Sequence, residues 1–312
     1  GWYRVLSYDG LYGLNGEASS NRYALFLQDS WGVTERLTLN IGVRAEQEKL
    51  PSYNEDFDDP LDFGFADKIA PRVGISYDLF GDGKVKLFAN WGIYYDVMKL
   101  EMAREGYGGR VWKDARYTLD TLEWWTFPDV IDPSQYPGSP IGPPVNHRIP
   151  ALETTDPETE PMEQWEYIGG FDWQFADNMA VNVRFVYKTL KKTIEDIGII
   201  TPEGEQYWHG NPGFGKSKEI LEANGYPNVE AIRDYMGLDI RLIKRFSNNW
   251  TGGVNFTVSK LRGNYSGLTN TDEDDRDSPN VNRNFDLWWM SFDQSWGDNL
   301  GPLQSDRRYT AT

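Results

Sequence analysis

The most regular feature of the chain is an alternation of apolar and polar residues that recurs in paired segments. In Leu37-Thr-Leu-Asn-Ile-Gly-Val-Arg-Ala-Glu46, the residues Leu37, Leu39, Ile41, Val43 and Ala45 alternate with Thr38, Asn40, Gly42, Arg44 and Glu46. A period of two places these sets on opposite faces of a strand. The preceding stretch puts Tyr23, Leu25 and Leu27 on one face and ends at Trp31, and Gly32 to Arg36 leave room only for a tight reversal. The two segments read as a hairpin. A second hairpin sets Ile69, Val73, Ile75, Tyr77 and Leu79 against Val85, Leu87, Ala89, Trp91, Ile93 and Tyr95, around Gly81-Asp82-Gly83. A third pairs Trp165, Tyr167, Phe171, Trp173 and Phe175 with Val181, Val183, Phe185 and Tyr187, around Ala176-Asp177-Asn178. The fourth pairs Leu238, Ile240 and Leu242 with Val254, Phe256 and Val258, around Ser247-Asn248-Asn249.

About eight strands result, most of the roughly 9 to 11 residues that a tilted membrane-spanning strand requires. Short turns alternate strictly with long connections at residues 49–67, 97–161, 191–229 and from 263 onward. A soluble sandwich rarely keeps all its short turns at one end, whereas outer-membrane barrels do so. Residues 22–31 are therefore expected to run toward the periplasm and 37–48 to run back out. The second face of these strands carries Arg44, Glu46, Arg72, Asp78, Lys86, Glu166, Asp172, Arg184, Lys188, Asp239 and Arg241. Burying that set in a dry core costs several kcal/mol per unpaired ion, so it is expected to face water or a polar plug. Trp31, Trp165, Tyr167, Phe175 and Trp250, near strand ends, suit interfacial girdles. The competing reading makes them core aromatics of a soluble β-rich carbohydrate-binding protein.

Composition narrows the options. Aromatics are 15% of residues, Gly numbers 31, and mean hydropathy is -0.62, which suits strands and turns. No run approaches the ~18 apolar residues of a spanning helix, so a membrane role has to come through a barrel. The polar average is compatible with one, because a barrel strand presents only alternate residues to lipid. Absence of Cys removes disulfides, thiolate metal sites and Cys nucleophiles. Of the net charge of -17, residues 53–62, 151–163 and 272–277 together hold -14. These acidic stretches coincide with the long connections, and no basic patch with interleaved aromatics suggests nucleic acid.

A family resemblance runs through the same segments. Gln28-Asp29-Ser-Trp31 followed by Leu37-Thr-Leu-Asn-Ile-Gly-Val-Arg44 resembles the paired strands of TonB-dependent outer-membrane receptors, particularly the Oar-like branch. Further similarity lies in Ala70-Pro-Arg-Val-Gly-Ile-Ser-Tyr-Asp78, Lys192-Thr-Ile-Glu-Asp-Ile-Gly198, Asn211-Pro-Gly-Phe-Gly215, Lys244-Arg-Phe-Ser-Asn248, Asn264-Tyr-Ser-Gly-Leu268 and Ser278-Pro-Asn-Val-Asn-Arg283. The resemblance implies a 22-stranded barrel filled by an N-terminal plug and opened by a periplasmic TonB-type protein. Residues 1–312 are accordingly expected to form one segment of an all-β, antiparallel up-and-down transmembrane β-barrel, with short periplasmic turns and long extracellular loops. About eight to ten strands of a larger barrel are expected here, without plug or C-terminal strands, and another strand is expected to begin at Arg308-Tyr-Thr-Ala-Thr312. Expected partners are outer-membrane lipid, the TonB-type protein through a plug, and a solute or polypeptide ligand. A passive outer-membrane channel or structural protein is the alternative.

Candidate chemistry is sparse. Gly210-Asn-Pro-Gly-Phe-Gly215-Lys216-Ser217 fits the phosphate-loop expression G-x-x-x-x-G-K-[ST]. It follows Pro202-Glu-Gly-Glu-Gln-Tyr-Trp-His209 instead of a buried apolar strand, so a Gly-rich surface loop is expected, with a short helix over residues 217–223. Asp272-Glu-Asp-Asp-Arg-Asp277 lacks the Gly and terminal Glu of a calcium loop. His147 and His209 do not suggest a metal pair, and Glu195-Asp196, adjacent in a strand, point to opposite faces. No catalytic residue, cofactor or metal is expected, and no enzyme. The remaining candidates are loop aromatics: Trp112, Tyr117, Trp124, Trp125, Trp288 and Trp289 are positioned to stack on a ligand or to pack on one another.

Overall fold

The computed structural model describes residues 2–8, 19–52, 60–98, 100, 112–119, 138–146, 154–201, 204–226, 228, 230–265 and 301–311. By contacts the chain divides into two units, residues 1–20, 50–60 and 100–153 in one, and 21–49, 61–99 and 154–312 in the other. The first contains β1 (Trp2–Tyr8), β7 (Trp112–Thr118) and β8 (Val145–Asn146). They form a three-stranded sheet in the order β1-β7-β8. β1 and β7 pair antiparallel from Trp2 opposite Thr118 to Tyr8 opposite Trp112. The rings of Tyr3 and Tyr117 stack with centroids 5.5 Å apart.

The second unit holds β2 (Arg22–Gly32), β3 (Leu37–Leu50), β4 (Leu61–Phe63), β5 (Ile69–Asp78), β6 (Val85–Tyr95), β9 (Thr154–Thr155), β10 (Glu163–Ala176), β11 (Met179–Lys192), β12 (Glu195–Thr201), β13 (Gly204–Gly210), α1 (Gly215–Ala223), β14 (Arg233–Ser247), β15 (Trp250–Gly263) and β16 (Gly301–Ala311). Its main sheet runs β2-β3-β5-β6-β10-β11-β14-β15-β16, with β4 attached to β3. Sheet order follows chain order at every step, and every neighbour is antiparallel. This is the expected up-and-down meander. One difference is β16, which begins at Gly301, earlier than the sequence suggested.

Register carries the alternation across strands. One row reads Trp31, Leu39, Ile75, Ala89, Gly169, Phe185, Leu238, Val258 from β2 to β15. Side chains on this face are left uncovered: Leu25 is 66% exposed, Leu27 76% and Val254 54%. Leaving large aliphatic side chains in water forfeits about 1.5–3 kcal/mol each, and a soluble protein rarely leaves so large a contiguous apolar surface open. Lipid is the medium this face fits. On the face behind it, the row Asp78, Lys86, Asp172, Asn182, Arg241, Asn255 crosses six strands without one apolar residue. Along β10, Trp165 and Trp173 are eight residues apart, about 27 Å along the strand at ~3.4 Å per residue, or about 21 Å of height at the ~35–45° tilt of barrel strands, against an apolar band ~25 Å tall. Trp165 meets Trp91 edge to face at 5.7 Å, and Trp173 meets Phe175 at 5.6 Å, as two girdles require.

Fully buried residues concentrate outside the long strands. The long connections contain strands that the sequence did not announce, beside the expected short helix. Residues 191–229 carry β12, β13 and α1, and residues 49–67 carry β4. β12 and β13 pair antiparallel, and β9 adds to β13 in parallel. Ile197, Trp208 and Leu221 form a small core there, packed against Ile220 and Tyr226.

Candidate functional site

Three places hold chemistry-bearing side chains. The first is the polar face of the meander, where every charged residue named from the sequence lies. Lys86 Nζ is 2.6 Å from Asp172 Oδ2, and Asn182 donates to the same carboxylate. Arg184 grips Asp239 Oδ2 through Nε at 3.1 Å and Nη2 at 2.8 Å, while the Thr257 hydroxyl donates to Asp239 Oδ1 at 2.7 Å. Lys188 Nζ and Gln164 Nε2 both donate to Glu166 Oε1, at 2.9 and 2.7 Å. The Arg72 guanidinium lies 4.5 Å from the Tyr94 ring centre. Apart from Gln164–Glu166, which lies within β10, these pairs link neighbouring strands where both partners are partly hydrated, so each adds modestly to stability. At Gly170 a Cβ would fall 2.8 Å from Phe88 Cζ and 2.1 Å from the Val183 carbonyl oxygen, so glycine lets the Phe88 ring lie across the sheet. A depression of about 530 Å³ opens on this face, walled by Glu166, Arg184, Lys188, Arg233, Tyr235 and Asp239.

The second place is the layer at the long-connection end of the meander. Lys68 and Glu48 are both almost fully buried and meet at 2.5 Å. Lys68 Nζ also donates to the Asp96 carbonyl at 3.2 Å, and Glu48 Oε1 accepts the Met98 N–H at 3.1 Å. Asn211 clamps two more segments, donating to the Glu160 and Thr193 carbonyls at 2.9 and 2.7 Å and accepting the Glu160 N–H at 2.6 Å. Asn264 does the same for Glu230 and Ile232. Burial lowers His209 to a pKa of about 4. The Tyr265 hydroxyl is pushed well above the usual phenol range by burial and then by the charge of Glu195.

The phosphate-loop look-alike belongs to this layer. α1 does begin at Gly215, but its N-terminus faces the protein's own carboxylate: Asp156 Oδ2 accepts the Ser217 N–H at 3.2 Å. The Ser217 hydroxyl accepts from Trp208 Nε1 at 2.9 Å, and a Cβ at Gly210 would sit 2.3 Å from it. The glycines here serve close packing, with Gly210 to Gly213 buried and Lys216 pointing to solvent. The surface-loop expectation is corrected to that extent: the segment is interior to a packed layer. β12 places Glu195 and Asp196 in a strand, as expected. Among the described residues no group of three or more His, Asp or Glu is placed to hold a metal ion.

The third place is the set of loop aromatics. The structure brings Trp112 and Tyr117 onto the same strand, β7, where Tyr117 is half-buried against Tyr3. Trp124, Trp125, Trp288 and Trp289 lie outside the described residues.

Comparison with known proteins agrees with this architecture. The model of the outer membrane beta barrel domain family matches residues 6–295. The chain is 27% identical over 280 residues to the TonB-dependent transporter Oar of Myxococcus xanthus, which covers 84% of this chain and 25% of that protein. The chain thus spans about a quarter of the length of this curated relative. Among solved structures, the siderophore receptor PirA of Pseudomonas aeruginosa aligns with 78% of this chain and 36% of its own, at 12% identity and a TM-score of 0.41. With the family model covering nearly the whole meander, the chain belongs to the outer-membrane β-barrel domain family and its place is the bacterial outer membrane.

Proposed function

We propose that the chain forms part of the wall of a TonB-dependent transporter, which takes up a scarce solute or polypeptide by capture on its outer loops followed by energised movement of a plug. The observation that carries this reading is the polar face. Its ion-paired, partly hydrated side chains need a polar neighbour, and a plug supplies one while keeping the lumen closed. Similarity to a TonB-dependent transporter over 84% of the chain supports it. The wall itself carries out no catalysis on this reading: its role is to hold the plug and to present loops. Membership of an outer-membrane family removes the soluble carbohydrate-binding alternative. A passive channel is the remaining rival.

Conductance in planar bilayers separates the two. An energised transporter with its plug seated should stay closed at 100 mV and open to a large conductance when ~4 M urea unfolds the plug while the barrel persists. Steady conductance before any urea is added would end the transporter reading in favour of the channel. Binding of a purified periplasmic TonB domain to the protein, measured in detergent, gives an independent check.

A further inference from the structure

The apolar face of the meander changes character at its outer end. Below that level β14 and β15 present Leu238, Leu242, Val254, Phe256 and Val258 to lipid. Two steps higher on the same face stand Lys260, opposite Met236, and Arg262, opposite Asp234. β16 places Arg307 opposite Lys260, and Lys191 lies over the Trp165 ring, 5.2 Å from its centre. Lys260 and Arg262 make no ion pair among the described residues, and the nearby Asp234 carboxylate accepts the Tyr187 hydroxyl at 3.3 Å. A cleft of about 190 Å³ is lined by Ile232, Asp234, Met236, Lys260 and Arg262.

Depth sets what this cleft can meet. Lys260 follows Trp250, in the lower girdle, by ten residues, or about 34 Å along the strand. At the ~35–45° tilt of barrel strands, that is a rise of about 26 Å, the upper edge of the apolar band. Cations at that height reach headgroup level while their stems stay against apolar surface. The chain as a whole carries -17, so a cluster of positive charge on the membrane-facing side runs against its overall balance. Two cations beside apolar side chains, next to an aromatic girdle, match a phosphate on an acylated anchor: the cations hold the phosphate and Met236 and Ile232 meet the chain.

We propose that this cleft binds the phosphate of an outer-leaflet lipid headgroup, making the β14–β15 outer edge a specific lipid site on the wall. The site rests on the membrane placement of the sheet and is independent of the transport reading.

The test uses the protein purified from outer membranes in uncharged detergent, with bound lipid followed by native mass spectrometry. Wild type should bind diphosphoryl lipid A at least tenfold more tightly than the dephosphorylated lipid. The Lys260→Gln/Arg262→Gln variant should lose that difference, Lys260→Arg/Arg262→Lys should keep it within threefold, and Lys218→Gln on α1 should match wild type. Both cations are partly or fully exposed, so the variants should remain heat-modifiable barrels. Equal binding of the two lipids by wild type overturns the proposal without recourse to any variant. So does an unchanged affinity in the Gln variant, or full displacement of lipid A by 10 mM inorganic phosphate, which would make the site one for free phosphate.

Discussion

At the short-turn end of the meander, connections of two to six residues close four hairpins, and three of them carry turn hydrogen bonds from their own residues, while Asn178 in the fourth bonds to Ser247 and Arg245 of the next hairpin. Asp78 accepts the Gly81 and Gly83 N–H groups at 2.9 and 2.8 Å, and Thr34 Oγ1 accepts those of Arg36 and Leu37. Asn248 and Asn249 both take positive φ, 50° and 64°, as a two-residue hairpin with the twist of its strands demands. Lys244 locks that turn by donating to the Ser247 carbonyl at 2.8 Å and the Trp250 carbonyl at 3.1 Å. At the long-connection end the buried polar links reach across the sequence. Glu48 and Lys68 are twenty residues apart, and Asn211 reaches fifty-one residues back to Glu160. Turns at one end are decided by neighbours in sequence; at the other, a second small core is assembled from distant pieces.

That contrast makes graded predictions. The largest effect is expected at the buried pair: Lys68→Met leaves the Glu48 carboxylate buried without its cation and should cost about 3–5 kcal/mol, read as a lower urea midpoint of unfolding. Adding Glu48→Gln should recover most of the loss; if it does not, the pair is not what holds the layer together.

Next comes acid. His209 has a folded pKa of about 4 against ~6.5 when unfolded. Well above pH 6.5 both states are neutral and there is no effect. Below it the unfolded segment takes a proton that the folded one refuses, so stability falls as pH drops toward 4. Between pH 8 and 5 the loss should be about 2 kcal/mol. Hydrogen exchange across residues 195–226 should show it, with the short turns unaffected, and His209→Gln should abolish the slope.

Smaller effects belong to the turns. Asp78→Ala removes two N–H acceptors in an exposed setting and should cost about 1–2 kcal/mol without altering exchange in the outer layer. Smallest of all, Asn248→Ala should cost about 1 kcal/mol for its left-handed backbone, while Asn248→Gly should be neutral in the same unfolding assay. A disturbance of the outer layer by either turn variant would erase the distinction between the two ends.

The same distinction decides what could be read without a structure. Strand faces, turn positions and the charged wall were legible because period two and turn chemistry are local. Leu37 to Glu46 and Gly81-Asp82-Gly83 announce themselves. The helix over residues 217–223 is legible and present as α1, but β12 and β13, which pair with each other, are not: Ile197 and Ile199 alternate in the first, whereas Gly204-Glu-Gln-Tyr-Trp-His-Gly210 has no apolar alternation of its own and its Trp208 is covered by Leu221 of α1. Lys260 and Arg262 were within reach: continuing the Val254, Phe256, Val258 alternation by two steps arrives at them. The loop aromatics stand out in the sequence by their clustering in the long connections, and among the described residues Tyr117 stacks on Tyr3.

Because each strand of the meander pairs with the one laid down before it, loop length and wall pairing are nearly independent variables. A connection costs only about 0.6 kcal/mol per doubling of its length, so residues 96–162, some sixteen times longer than a four-residue turn, add about 2.4 kcal/mol of closure entropy. An outer loop can therefore lengthen, shrink or be exchanged with little penalty to the wall beneath it, while a single residue added within a strand would turn its apolar set inward. Descendants of such a protein would be expected to diverge in what they recognise long before they diverge in how they sit in the membrane.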